Sequence, residues 1–109
     1  MDELQQRAFS IISIVGDAKI HYMNAIKLAR SGEKEEAEKE ITEGNQILAN
    51  AHHEHFDVIQ KEAEGEKVDY SVLFMHAEDQ LLTAEVFRDM AVELLAVYEE
   101  LDQLKKKVG

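Results

Sequence analysis

Residues 72–101 read VLFMHAEDQLLTAEVFRDMAVELLAVYEEL, and this stretch decides the fold. Its apolar residues recur every three or four positions and the chain contains no proline, so the pattern predicts one long helix. The apolar residues form two stripes. The first stripe consists of Leu73, Ala77, Leu81, Ala84, Phe87, Ala91, Leu94, Tyr98 and Leu101, and the second of Val72, Val86, Met90 and Val97. One stripe is enough for the core of a single chain, so the second predicts that this helix also packs against copies of itself.

The same helical period runs through two earlier segments of the chain. We predict helices at about residues 3–30, 33–63 and 70–107, all within a single domain that spans residues 1–109. The short connections between them predict an all-α, up-down-up antiparallel three-helix bundle. The first helix has an apolar stripe of Leu4, Ala8, Ile11, Val15, Ala18, Tyr22, Ala25 and Ala29, and the second has a stripe of Ala37, Ile41, Gly44, Leu48, Ala51, His55 and Val58.

The ends of these helices carry recognisable signals. Asp2 followed by Gln5 resembles a capping box, and Gly32 can supply the left-handed conformation on which helices often end. Asp69 or Ser71 is expected to cap the third helix.

Two glycines, Gly16 and Gly44, lie inside the first and second predicted helices. Each costs roughly 1 kcal/mol relative to alanine in a helix interior. We expect both of them to permit close helix packing.

The composition fits one small domain in a reducing compartment. The 109 residues include no cysteine, which excludes a disulfide framework and thiolate chemistry. Lysine and arginine total 12 against 23 aspartates and glutamates, and the net charge of −11 argues against a nucleic-acid partner. The uncharged run from Ala8 to Gly16 is far shorter than the roughly 18 to 20 apolar residues of a membrane span. We therefore expect a cytoplasmic protein without direct membrane insertion.

Polar residues interrupt the second stripe of the third helix at His76, Asp79 and Thr83, with Gln80 one turn after His76. These residues share a face, and they have two interpretations. They could fix the register of an oligomer interface. Alternatively, the neutral imidazole of His76 is a nucleophile that accepts a phosphoryl group, and the amide of Gln80 donates to a phosphoryl oxygen. If Asp79 lies on an oligomer axis, its copies require a cation, and carboxylate oxygens favour Mg²⁺.

The second helix contains the run His52-His53-Glu54-His55. It does not have the His-Glu-x-x-His spacing of a helical zinc protease, because Asp57 occupies the position of the distal ligand. We interpret these histidines as residues satisfied at a helix interface. A metal-storing protein that uses His52 and His55 is the less favoured alternative.

The segment at residues 72–84, VLFMHAEDQLLTA, resembles the His-Ala-Gln-Asp-His-Leu-Met-Thr signature of the lactose/cellobiose (chitobiose)-type enzyme IIA components of the bacterial phosphoenolpyruvate-dependent sugar phosphotransferase system. The resemblance continues at residues 14–19, 31–33, 51–52 and 65–67. This chain departs from the family pattern at Lys19, Glu78, Gln80 and Leu82, where the family has arginine, glutamine, histidine and methionine.

The resemblance implies a homotrimer assembled through the third helix. His76 matches the histidine that is transiently phosphorylated, and Asp79 matches the axial metal-binding aspartate, which implies one divalent cation per trimer. Gln80 would be the phosphoryl-oxygen donor, and Thr83 would line the same face.

Such a phosphotransferase accepts its phosphoryl group from the phosphocarrier protein HPr and passes it to a cysteine of a IIB component. That component phosphorylates a β-linked disaccharide of the lactose, cellobiose or chitobiose type, taken up through a membrane IIC component. The alternative function is a non-catalytic helical oligomerisation or adaptor module.

Overall fold

The computed structural model describes all residues, 1–109, and contains three helices. They are α1 at Glu3–Arg30, α2 at Lys34–Ala63 and α3 at Val72–Val108. They form an elongated bundle with extents of 63 × 23 × 20 Å. The predicted all-α three-helix bundle is confirmed. Helix α1 packs against both other helices, whereas α2 and α3 contact each other over a much smaller surface.

The predicted capping signals are present at the helix ends. The Asp2 carboxylate accepts from the backbone N–H of Gln5 at 2.8 Å, and the Gln5 side chain accepts from the backbone N–H of Asp2 at 3.2 Å. Gly32 ends α1 with a φ of +83°, a conformation that side-chain-bearing residues rarely adopt. Of the two predicted caps for α3, Ser71 is the one used, because its Oγ accepts from the backbone N–H of Phe74 at 3.1 Å.

The core is built on the α1 stripe, which is buried at every predicted position except the partly buried Leu4. Tyr22 is the largest of the fully buried side chains. Its ring lies against Gly44, where an added Cβ would stand 2.6 Å from Tyr22 Cε1. Its hydroxyl donates to Asn45 Oδ1 at 2.7 Å. Burial raises the pKa of the Tyr22 hydroxyl, which keeps the group protonated as a donor. The predicted close packing at Gly44 is therefore confirmed.

Two expectations about packing are wrong, and one core residue lies outside the predicted stripes. Gly16 is exposed, and no atom lies within 4 Å of the position of an added Cβ, so this glycine makes no close helix contact in the chain. Leu101 is exposed, because it lies one turn after Val97 and one turn before Leu104 and shares the exposed side of α3 with them. Phe74 belongs to neither predicted stripe, yet it is buried in the core. It lies one turn before Ala77, on the inner side of α3.

We predict that Gly44→Ala lowers the free energy of unfolding by about 1 kcal/mol or more. Overpacking a core costs about 1 to 3 kcal/mol, which exceeds the gain of about 1 kcal/mol in helix propensity. Gly16→Ala is the matched control and should stabilise by about 0.5 to 1 kcal/mol, because its methyl group meets open space. Urea denaturation at one fixed protein concentration measures both effects. Equal effects of the two substitutions would contradict the Tyr22–Gly44 contact.

Candidate functional site

The side of α3 that faces away from α1 carries a row of exposed apolar side chains. We call this surface the outer face of α3. The second predicted stripe lies on it, and its four residues are 48 to 69% exposed. The exposed apolar residues of the outer face are Val72, Met75, Leu82, Val86, Met90, Val97 and Leu104. A row of exposed apolar side chains of this length is typical of an interaction site, so the surface that the sequence predicts for self-association is available.

His76, Asp79 and Thr83 are exposed on successive turns of the outer face. The side chains of His76 and Asp79 make no hydrogen bond or ion pair within the chain. Thr83 donates its hydroxyl to the backbone carbonyl of Asp79 at 2.8 Å, so its proton is used within its own helix. The structure therefore presents an imidazole and a carboxylate whose ring nitrogens and oxygens are free to meet a partner.

Gln80 is half-buried at the edge of the outer face, where α3 meets α1. Its side-chain oxygen accepts a hydrogen bond from Lys19 Nζ of α1 at 3.2 Å. Since the oxygen is used, the amide NH₂ remains as the free donor end of this side chain. The sequence does not mark Lys19 as a site residue, because 61 residues separate it from Gln80 and no local spacing connects them.

His52 and His55 of α2 form contacts between helices, as interpreted from the sequence, whereas His53 is exposed and unpaired. His55 Nε2 pairs with Glu78 Oε2 at 2.7 Å, and its ring stacks on Phe74 with the centroids 5.9 Å apart. His52 Nε2 pairs with Glu85 Oε1 at 3.0 Å. His52 and His55 therefore bind separate carboxylates of α3 and do not form a shared metal site.

The ion pair with His55 explains where the Glu78 carboxylate lies, at a position where this chain departs from the family pattern. Its carboxylate is turned toward α2 and paired with His55, whereas His76 is exposed on the outer face. Residues two apart on a helix point to different faces, so the Glu78 carboxylate does not face the imidazole of His76.

The fold and this face together define a small helical protein with an unpaired histidine beside an exposed apolar surface. None of its three helices combines the length and apolar character that crossing a bilayer requires. Residues 6–99 match the model of the family described as PTS system, Lactose/Cellobiose specific IIA subunit. The chain belongs to this family and is a phosphotransferase-system IIA component of the lactose/cellobiose type.

Relatives of this chain cover nearly its whole length. The lichenan-specific phosphotransferase enzyme IIA component of Bacillus subtilis is 38% identical over 94% of this chain and 93% of its own length. The cellobiose-specific enzyme IIA of Bacillus anthracis has a crystal structure that matches with a TM-score of 0.90, at 33% identity and 94% coverage of each chain. The chitobiose IIA of Escherichia coli, solved in complex with HPr, matches with a TM-score of 0.76 at 26% identity, covering 94% of this chain and 99% of its own.

We predict that His55→Ala lowers the free energy of unfolding by about 1 to 2 kcal/mol, since it removes a hydrogen bond to a carboxylate and a stacked ring. His53→Ala is the control, because His53 is exposed and unpaired, and it should change stability by less than about 0.5 kcal/mol. Chemical denaturation measures both. A His55→Ala effect as small as the control would show that the α2 histidines are not structural.

Proposed function

We propose that this chain is a phosphocarrier that accepts a phosphoryl group from phospho-HPr on His76 and transfers it to the cysteine of a IIB component. The relay serves uptake and phosphorylation of a β-linked disaccharide through a membrane IIC component. The observation that carries the proposal is the exposed, unpaired imidazole of His76 at the position of the family signature. The relatives are named for lichenan, cellobiose and chitobiose, which supports a β-linked saccharide as the transported substrate.

The chemistry requires an unprotonated ring nitrogen on His76. This nitrogen attacks the phosphorus of phospho-HPr, and a new N–P bond forms on His76. The N–P bond of HPr breaks at the same time, and the electron pair of that bond stays on the nitrogen of HPr. In the second transfer, the thiolate of the IIB component attacks the same phosphorus. An S–P bond then forms, and His76 recovers its lone pair. An exposed histidine suits both steps, because each partner must approach the ring in line.

Gln80 is the proposed donor to a phosphoryl oxygen. Lys19 occupies the oxygen of the Gln80 amide, and this hydrogen bond orients the NH₂ end away from Lys19. A phosphoryl group adds roughly −1.5 to −2 charges, and the chain already has a formal net charge of −11. The ammonium of Lys19, which is hydrogen-bonded to Gln80, therefore offsets part of the repulsion between the phosphoryl group and the negative charges of the chain. Thr83 lines the same face, but its hydroxyl proton is used by its own helix.

HPr is the proposed phosphoryl donor to this chain. The structural relative from Escherichia coli is described as a complex of chitobiose IIA with HPr. On this chain, the exposed apolar residues Val72 and Met75 lie one turn before and directly before the acceptor histidine, and they offer a surface against which a partner can pack. Membership of the phosphotransferase-system family supports IIB and IIC components as the further partners of the proposed relay.

We predict that incubation with phosphoenolpyruvate, enzyme I and HPr adds one acid-labile phosphoryl group to the wild-type chain and none to His76→Ala. Intact mass measured without acid gives the number of groups. His53→Ala is the matched control, because His53 is the other exposed histidine without a partner, and it should be phosphorylated like the wild type.

Two results would contradict the carrier function. One is the absence of an adduct on folded wild-type protein when HPr itself is phosphorylated, which would favour the oligomerisation or adaptor module. The other is an adduct on His76→Ala that is lost in His53→Ala, which would move the acceptor to α2.

We further propose that the outer face of α3 assembles three copies into a homotrimer with Asp79 at the axis. Asp79 lies between the exposed apolar residues Val72 and Val86 on this face. Its carboxylate is exposed and has no cationic partner in the chain, and its oxygen atoms fit a hard divalent cation such as Mg²⁺, one per trimer. Such a cation would neutralise carboxylates that otherwise repel one another.

We predict that Asp79→Leu keeps or strengthens the oligomer, because apolar side chains can pack where the carboxylates needed a cation. In samples that contain Mg²⁺ as the only divalent cation, chelation should lower the thermal midpoint of the wild type and leave Asp79→Leu unchanged. Sedimentation and thermal unfolding measure the two effects. Dissociation of Asp79→Leu, or equal sensitivity of both proteins to the chelator, would contradict the axial position of Asp79.

A further inference from the structure

A second cluster of metal-ligating side chains lies between α1 and α2, away from the outer face of α3. His21 Nδ1 contacts Glu40 Oε2 at 2.5 Å and Glu43 Oε2 at 3.4 Å. The three ligand atoms all lie within 4.8 Å of one another. Glu40 and Glu43 are one turn apart on α2, so both carboxylates reach the same imidazole from the same side.

The backbone positions of this cluster are held by a close contact between the two helices, at Tyr22 and Gly44. His21 precedes the fully buried Tyr22, and Glu43 precedes Gly44, against which the Tyr22 ring packs. The hydrogen bond from Tyr22 to Asn45 holds the same turns together. The three ligand-bearing positions are therefore fixed relative to each other by packing that does not depend on any ion.

The charge of the cluster is not balanced within the chain. Neither Glu40 nor Glu43 forms an ion pair with a lysine or an arginine. Even a protonated imidazole supplies one positive charge against two carboxylates. The side chains of His21 and Glu40 are only 26% and 25% exposed, so solvent screens this excess negative charge incompletely. A divalent cation would remove the imbalance.

The donor set selects the class of cation. One imidazole nitrogen with carboxylate oxygens suits Zn²⁺, whereas Mg²⁺ prefers oxygen ligands only. Around tetrahedral Zn²⁺, with bonds of about 2.0 to 2.1 Å, neighbouring ligand atoms lie about 3.3 Å apart. The separation of 3.4 Å between His21 Nδ1 and Glu43 Oε2 matches this spacing. Glu40 Oε2 lies closer to His21 Nδ1, at 2.5 Å. An outward rotation of the flexible Glu40 side chain would bring this separation to the spacing of Zn²⁺ ligands.

We propose that His21, Glu40 and Glu43 form a Zn²⁺ site, with water as the fourth ligand, that ties α1 to α2. The site is separate from the proposed phosphoryl acceptor and does not depend on it. The sequence gives no local signal for this site, because His21 lies 19 residues before Glu40 on another helix.

The test is a Zn²⁺ titration of the wild type and of His21→Gln, with native mass spectrometry for stoichiometry and thermal unfolding for stabilisation. We expect one Zn²⁺ per chain at this site, a higher thermal midpoint with Zn²⁺, and affinity at least about tenfold weaker in His21→Gln. Mg²⁺ alone should not produce the His21-dependent stabilisation. Glu43→Gln is a second variant at a more exposed position and should weaken binding in the same way.

Matched controls exclude the other metal-binding candidates. The double variant His52→Gln with His53→Gln should retain the His21-dependent site, and so should Asp79→Leu. Phosphorylation on His76 should be normal in His21→Gln, which shows that the variant is folded and separates this proposal from the carrier function. Zn²⁺ binding that is absent from the wild type, unchanged in both His21→Gln and Glu43→Gln, or lost only in the α2 histidine variant would overturn the proposal.

Discussion

The structure depends on the contact between Tyr22 of α1 and Gly44 of α2. This contact lets the two helices approach closely, and the Tyr22 hydroxyl is satisfied by Asn45 at the same point. Helix α1 is the central element of the bundle, because α2 and α3 both pack against its apolar stripe. Because α3 uses one side for α1, its other side stays exposed along the length of the helix. The surface proposed for function is therefore the surface that folding of the chain does not use.

The outer face of α3 combines two properties that a phosphocarrier needs. Its apolar residues offer area for assembly and for partner proteins, whereas His76 is left without any contact that would compete for its ring nitrogens. Two other polar side chains near His76, those of Gln80 and Glu78, are bound by residues of the neighbouring helices. Lys19 of α1 holds the oxygen of Gln80, and His55 of α2 holds the carboxylate of Glu78. In the proposed phosphorylated state, the added negative charge would meet an oriented amide, and Glu78 is engaged by His55.

The sequence predicts what depends on local spacing. The α1 stripe, the Asp2 cap and the two faces of α3 follow from the helical period and from side chains within one turn of each other. It does not predict contacts between helices that are far apart in sequence, such as Lys19 with Gln80 or His21 with Glu40. The prediction that Gly16 permits close packing is wrong for the same reason. A glycine in a helix has the same local signal whether or not a neighbouring helix approaches it. The candidate site residues on α3 are predicted from spacing and from the family signature, whereas Lys19 and His21 lie on another helix outside any such local pattern.

The central claim is that the outer face of α3 both assembles the protein and carries the phosphoryl acceptor. Native mass spectrometry after phosphorylation by HPr tests both parts in one measurement. We predict an assembly of three chains that carries up to one phosphoryl group per chain, and an assembly of the same size without phosphoryl groups for His76→Ala. A phosphorylated monomer would contradict the role of this face in assembly. A trimer that stays unphosphorylated beside phosphorylated HPr would contradict the role of His76.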